Sequence, residues 1–174
     1  MTFRSAVFIP IVVLCCVWQS CGDSRDTMRF SIPPYYVWME QGEDSTSSLH
    51  LSVDGKETDC IEIRHPVYRL EGADLNGDGV PEICVGVENV TRYWRQTARR
   101  IHIYQLYHGR YIRPLWLGSR VGYTLCDFKV CTDSTPARIH TYETDGYGCE
   151  IESVYRLRGF GLQFERYILP PKQN

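Results

Sequence analysis

From Leu49 onward the apolar residues recur at every second position, and this alternation constrains the chain more than any other feature. Leu49, Leu51 and Val53 share one face, Ile61 and Ile63 another, Ile83, Val85 and Val87 a third, and Phe160, Leu162 and Phe164 a fourth. Successive side chains of a strand point to opposite sides, so this spacing describes half-buried strands; helical periodicity is scarcely visible. Turn-forming pairs punctuate the runs at Asp54-Gly55, Asn76-Gly77, Asp78-Gly79, His108-Gly109 and Asp145-Gly146. The expectation is an all-β domain of antiparallel strands. With 174 residues, 43% apolar and 23% charged, the chain has room for one core and is neither disordered nor fibrous.

Between the strands, Phe30 to Glu40 reads as an extended lead-in, Gln41 to Ser48 as a polar loop, and Glu88 to Arg99 as a long connection. Arg100-Ile101-His102-Ile103-Tyr104 and Arg138-Ile139-His140-Thr141-Tyr142 share four of five residues at an offset of 38. A period near 40 suits propeller-like blades. Chance likeness between Tyr- and Arg-rich strands is the competing reading, with a barrel or sandwich as the alternative architecture.

The first twenty residues differ from the rest. Arg4 supplies a basic start, Ser5 to Trp18 carries no charge, and Gln19-Ser20-Cys21 follows, which is the layout of a secretory signal. The apolar stretch contains Pro10 and is shorter than the roughly 20 residues of a spanning helix. Trp18-Gln19-Ser20-Cys21-Gly22 resembles the lipobox of bacterial lipoproteins, although Trp18 stands where that family usually has Leu. The resemblance implies cleavage before Cys21, lipidation of its thiol, and anchoring in the bacterial cell envelope, at the periplasmic or outer-membrane surface. The expected organisation is a signal peptide at 1–20, a tether at 21–29 and a β-rich domain at 30–174.

Five further cysteines, Cys60, Cys84, Cys126, Cys131 and Cys149, make an odd set. Export permits disulfides, with Cys126 and Cys131 close in sequence and Cys60 and Cys84 a second conceivable pair. The plainer reading is small buried apolar side chains.

The most specific chemistry lies in Asp74-Leu75-Asn76-Gly77-Asp78-Gly79-Val80-Pro81-Glu82. Oxygen side chains at the first, third, fifth and ninth positions wrap one hard cation: Asp74, Asn76 and Asp78 point inward, Val80 adds its carbonyl, and Glu82 closes the site. Ca²⁺ suits such a set because it accepts six to eight oxygens in flexible geometry. The twelfth position is Val85, so this is not an EF-hand. Running directly into Ile83-Cys84-Val85-Gly86-Val87, the stretch resembles the FG-GAP or VCBS repeats of calcium-binding β-propellers. That resemblance implies a structural metal; a metal-free Asx-Gly turn is the competing reading.

Charge is segregated along the chain. Glu40 to Glu88 holds 12 acidic and three basic residues, and Asn89 to Cys126 seven arginines and no acid. Arg92, Arg95, Arg99 and Arg100 surround Tyr93 and Trp94, residue types that anchor interfaces. They either meet an anionic protein or envelope polymer or pair with the acidic half of their own domain. Removal of residues 1–20 leaves 18 basic and 21 acidic residues, which disfavours nucleic acid as a partner. Motifs of the common hydrolases and nucleotide-binding enzymes do not occur.

The reading is a monomeric, lipid-anchored, calcium-stabilised binding or scaffolding protein. Its layout loosely resembles exported calcium-loop lipoproteins that inhibit lysozyme-like hydrolases or confer immunity to toxins. The alternative from another class is an envelope glycan hydrolase, which needs two carboxylates converging in a Trp- or Tyr-lined cleft.

Overall fold

The computed structural model describes residues 28–42, 44–92, 95–118 and 120–170. These form twelve strands and no helix. Four consecutive strands build each of three antiparallel meanders. Sheet 1 contains β1 (Arg29–Ile32), β2 (Tyr35–Gln41), β3 (Ser47–Val53) and β4 (Lys56–Ile63); sheet 2 contains β5 (Val67–Ala73), β6 (Glu82–Asn89), β7 (Ala98–Tyr107) and β8 (Tyr111–Leu117). Sheet 3 contains β9 (Thr124–Cys131), β10 (Arg138–Thr144), β11 (Glu150–Arg158) and β12 (Gly161–Leu169). Each meander has the up-and-down order of a propeller blade, and none of the described sheets closes into a barrel.

The sheets stack in chain order. Val37, Met39, Leu49, Leu51 and Ile63 of sheet 1 meet Leu70, Ile83, Val85, Val87, Tyr104 and Leu106 of sheet 2 in one buried cluster. Cys84, Ile101 and Ile103, on the other side of sheet 2, meet Leu125, Phe128, Val130 and Ile139 of sheet 3 in a second. Sheet 2 is therefore covered on both faces. This is why β6 reads Ile-Cys-Val-Gly-Val with no polar alternate, unlike the outer layers.

Polar ties reinforce the stack. The Arg69 guanidinium reaches Asp127 of β9 through two hydrogen bonds, Nε to Oδ1 at 2.7 Å and Nη2 to Oδ2 at 2.5 Å. Glu71 accepts from the Val130 amide of the same strand. Between sheets 1 and 2, Asp59 accepts from the Ile112 amide at 2.7 Å, and the Phe30 ring occupies the space left by the missing side chain of Gly72.

Several sequence expectations change. The supposed lead-in from Phe30 is a hairpin, β1 paired with β2. Ser47 and Ser48 belong to β3, not to the preceding loop. Phe160 sits in the β11–β12 turn and is 84% exposed, so it faces no core. The Arg-Ile-His likeness joins β7, third in its meander, to β10, second in its own, so it does not mark equivalent blade positions. None of the five described cysteines forms a disulfide. Cys84 is buried between sheets 2 and 3, whereas Cys60 and Cys126 are exposed, so Cys60 and Cys84 do not face one another.

His102 of β7 is buried, with Asn89 Nδ2 3.5 Å from its Nε2 and no hydrogen-bond partner at Nδ1. Burial, then the nearby charges of His65 and Arg100, lower its pKa to about 4.

Two outcomes follow. Asp127→Asn should lower unfolding free energy by about 1 kcal/mol, since it removes the paired charged acceptor of a partly buried arginine and leaves Glu71, 3.0 Å from its Nη1, as the remaining carboxylate partner. Glu62→Gln, in the exposed pair with Arg64, should change it by less than about 0.5 kcal/mol. Urea denaturation measures both, and equal effects would remove Arg69–Asp127 as an inter-sheet tie. For His102, the unfolded chain takes up the proton first as pH falls, so its contribution is lost between about 6.5 and 4. Wild type minus His102→Gln stability should therefore decline from pH 7 to about pH 4.5. A difference independent of pH would contradict a neutral buried imidazole.

Candidate functional site

β6 carries a candidate site at each end, because the loop before it and the loop after it leave the sheet at opposite ends of the strand. Eight residues of strand separate the two by roughly 26 Å.

At the N-terminal end the loop from Asp74 folds around its own oxygens. Asp74 accepts from the Gly77 amide at 2.6 Å and the Gly79 amide at 2.9 Å, one per carboxylate oxygen. Asp78 Oδ1 accepts from the Val80 amide at 2.8 Å, and Asn76 Oδ1 from the Asp78 amide at 2.8 Å. Gly77 and Gly79 have φ of 90° and 83°, which other residues rarely adopt, so the loop can turn tightly enough to gather these groups. Glu82 is 2% exposed, and its Oε2 accepts from the Leu75 amide at 2.8 Å. Burial, and then the charges of Asp78 and Asp74, raise its pKa to about 7. An N–H group lies among these carboxylates: Asn76 Nδ2 donates to Asp78 Oδ2 at 3.1 Å and Glu82 Oε1 at 2.6 Å.

Of the four side chains anticipated from spacing, Asn76 bonds to both Asp78 and Glu82, while Asp74 bonds to the loop backbone. Three carboxylates and one neutral amide make up the set, residue types whose oxygens suit a hard divalent cation. Asn76 joins Asp78 to Glu82, whereas both Asp74 oxygens are taken by backbone amides and the three carboxylates do not converge in one close cluster, so holding an ion would need the Asn76 amide and the Asp74 carboxylate to turn inward. The same hydrogen bonds also satisfy a metal-free Asx turn. The loop rests on sheet 3, with the Ala137 amide donating to the Asp74 carbonyl at 2.8 Å and Pro136 against Gly77.

At the C-terminal end of β6, a cavity of about 550 Å³ opens between sheets 2 and 3. Arg92, Arg99, Arg100 and Arg120 line it with Trp116 and Tyr123, and no carboxylate belongs to its described lining. Arg100 is 5% exposed; burial, then the neighbouring charge of Arg120, lowers its pKa. One wall is pinned by the buried Glu143, which accepts from the Tyr123 amide, the Thr141 hydroxyl and the Tyr155 hydroxyl. Tyr155 accepts in turn from the Gly122 amide at 2.9 Å.

The arginine group read from sequence divides. Arg92, Arg99 and Arg100 reach the cavity, while Arg95 is exposed and not among its lining. Arg99 also pairs internally, with Glu88 at 3.0 Å, the Cys126 carbonyl at 2.7 Å and the Tyr68 ring face at 4.6 Å. Tyr93, Trp94 and Cys21, the residue expected to be lipidated, lie outside the described residues. Arg120, Trp116 and Tyr123 were missed. Arg120 belongs to the carboxylate-free arginine stretch, but only the packing of sheet 3 on sheet 2 brings it to Arg100.

Comparison with protein-family models, curated proteins and solved structures finds no match.

Proposed function

We propose that the chain is a lipid-anchored envelope protein that binds an anionic partner in the arginine-lined cavity, with a calcium ion bracing the sheets that form it. One observation carries the reading: four arginines and two aromatic side chains converge on a cavity whose described lining holds no carboxylate. Guanidinium groups direct paired hydrogen bonds at carboxylate or phosphate oxygens, and confinement between two sheets strengthens each of them relative to open solvent. The glycan-hydrolase alternative draws no support from this lining, which supplies aromatic rings without a carboxylate pair.

The calcium loop serves this arrangement from a distance. Asp74, Asn76, Asp78, Glu82 and the Val80 carbonyl would hold the ion, which supplies charge neutralisation at the buried Glu82. Its mechanical consequence lies in Leu75, buried in the core between sheets 2 and 3, and in the Asp74–Ala137 link. A loop fixed at one end of β6 then helps fix the sheets between which the cavity opens at the other. The resemblance to calcium-binding propeller repeats supports the metal, and the Ser20-Cys21 lipobox supports the anchor.

Melting in calcium and in chelator tests the loop. With calcium at about 100 times its dissociation constant the wild type should gain roughly 2.7 kcal/mol, and Asp78→Ala should lose that gain. Equal melting in all four conditions would leave a polar turn.

The cavity is tested by titrating the protein with a polyglutamate peptide, inorganic phosphate and soluble peptidoglycan fragments, following Trp fluorescence. Arg92→Gln combined with Arg120→Gln should weaken the tightest of these at least about tenfold, equivalent to about 1.4 kcal/mol, with little change in melting. Binding insensitive to both substitutions, or absent for all three probes at low salt, would reject the anionic-partner reading. In cells, Cys21→Ser should release the protein from membranes if the anchor is correct.

A further inference from the structure

The solvent face of sheet 1, remote from both ends of β6, carries a different set of ligands. Trp38 of β2, His50 of β3 and Cys60 of β4 are direct cross-strand partners in one row. Their sheet's opposite face holds Val37, Leu49 and Leu51 in the core, so this row points outward. Trp38 stacks on the imidazole with ring centroids 4.8 Å apart and planes 12° from parallel, which fixes the ring's orientation. Regular alternation would place Glu57 on the inner face with Asp59 and Ile61. A β-bulge opposite Leu51 and Ser52 shifts the register, pairing Ser52 with Glu57, and Glu57 turns to the outer face beside His50.

The resulting geometry separates the two imidazole nitrogens. Nδ1 lies 2.7 Å from Glu57 Oε1. Nε2 lies 3.8 Å from Cys60 Sγ and 3.7 Å from Glu40 Oε2. The donor atoms of His50, Glu57 and Cys60 all fall within 4.8 Å of one another. In tetrahedral coordination, metal–nitrogen and metal–oxygen bonds of about 2.0–2.1 Å and a metal–sulfur bond of about 2.3 Å give ligand-to-ligand edges of about 3.3–3.6 Å. The two separations from Nε2, to Cys60 Sγ and to Glu40 Oε2, exceed those edges by a few tenths of an ångström, and Glu40 must also swing toward Cys60 to complete the third edge. Glu40, whose side chain is exposed, can close that gap by rotating.

We propose that Glu40, His50 and Cys60 form a surface site for a borderline-soft divalent transition-metal ion, Zn²⁺ in the first instance. His50 binds through Nε2, Cys60 as thiolate and Glu40 through one oxygen. Glu57 accepts the Nδ1 proton and holds the tautomer that leaves Nε2 free to coordinate, the carboxylate–histidine–metal arrangement found around bound zinc. Coordination releases the thiol proton to solvent and leaves the oxidation state unchanged. A thiolate and an imidazole exclude Ca²⁺ and Mg²⁺, which prefer oxygen, so the site is chemically orthogonal to the loop at Asp74. Three protein ligands leave a fourth position open to water or an incoming donor.

Cobalt titration of the full chain, purified with a non-thiol reductant, tests the site. One equivalent of Co²⁺ should produce thiolate-to-metal charge-transfer absorption and intense tetrahedral ligand-field bands, both displaced by Zn²⁺ and unaffected by excess Ca²⁺. Cys60→Ser, a nearly isosteric change at an exposed position, should remove the charge-transfer band while the fold persists by circular dichroism. Glu57→Gln should keep the band but weaken affinity about 10- to 100-fold, as loss of a histidine-orienting carboxylate does. Cys131→Ser, which alters another thiol beside a carboxylate, Asp133 at 3.1 Å, should change nothing. The proposal is overturned if no thiolate band appears, if it survives Cys60→Ser, or if Cys131→Ser removes it.

Discussion

Burial of sheet 2 on both faces is the constraint on which the rest of the molecule depends. A strand with one solvent face satisfies the hydrophobic effect by alternation, but β6 has no solvent face and must be apolar or minimal at every core position. Cys84 is the case in point: a compact side chain fits the sheet 3 side, and its burial pushes the thiol strongly up, keeping it neutral. Gly86 adds a second requirement, because the Tyr68 ring occupies the space its side chain would need. Enlarging either residue would force the layers apart.

A central layer buried on both sides also decides where polar chemistry can reside. It is driven to the strand ends and to the outer faces of sheets 1 and 3. The loops at the two ends of β6 obey this rule, and so does the Trp38–His50–Cys60 row on the first layer. Two carboxylates drawn inward, the half-buried Glu71 and the buried Glu143, are engaged across layers or within one wall. Glu71 reaches the β9 backbone, and Glu143 gathers an amide and two hydroxyls. Their carboxylates thereby receive the hydrogen bonds that burial would otherwise deny them.

The all-β class was legible because period-two spacing is a local property, and Leu49, Leu51, Ile83, Val85 and Val87 all occupy core positions. The Asp54-Gly55 turn was legible for the same reason: both residues have positive φ, 51° and 76°, the demand that selects this pair. The turn from Asp74 to Glu82 was readable as a tight polar loop because its Asx and Gly residues all lie within nine positions. Non-local facts were not. Nothing in the run Ile83 to Val87 distinguishes a strand covered twice from one covered once, and the β4 bulge that turns Glu57 toward His50 leaves no mark in composition. The β1–β2 hairpin was hidden because Pro33-Pro34 reads as a stiff extended segment when it in fact lies in the turn.

Charge segregation acquires a three-dimensional meaning through the same stacking. The acidic half of the sequence supplies sheets 1 and 2 with carboxylates that meet arginines across the chain, as in Asp59 with Arg113 and Glu88 with Arg99. Arg99 marks the division. Its Nε–Glu88 pair, its bond to the Cys126 carbonyl and its place over Tyr68 use its head group within the protein, so it contributes to a cavity wall as a structural element. Arg92, Arg100 and Arg120 sit farther along the same opening, in a lining without carboxylates. Two of these cations have already been placed where desolvation and mutual repulsion lower the pKa of Arg100. An anionic group entering between the two sheets would act on both terms at once, because its charge would offset the Arg100–Arg120 repulsion and the desolvation of Arg100.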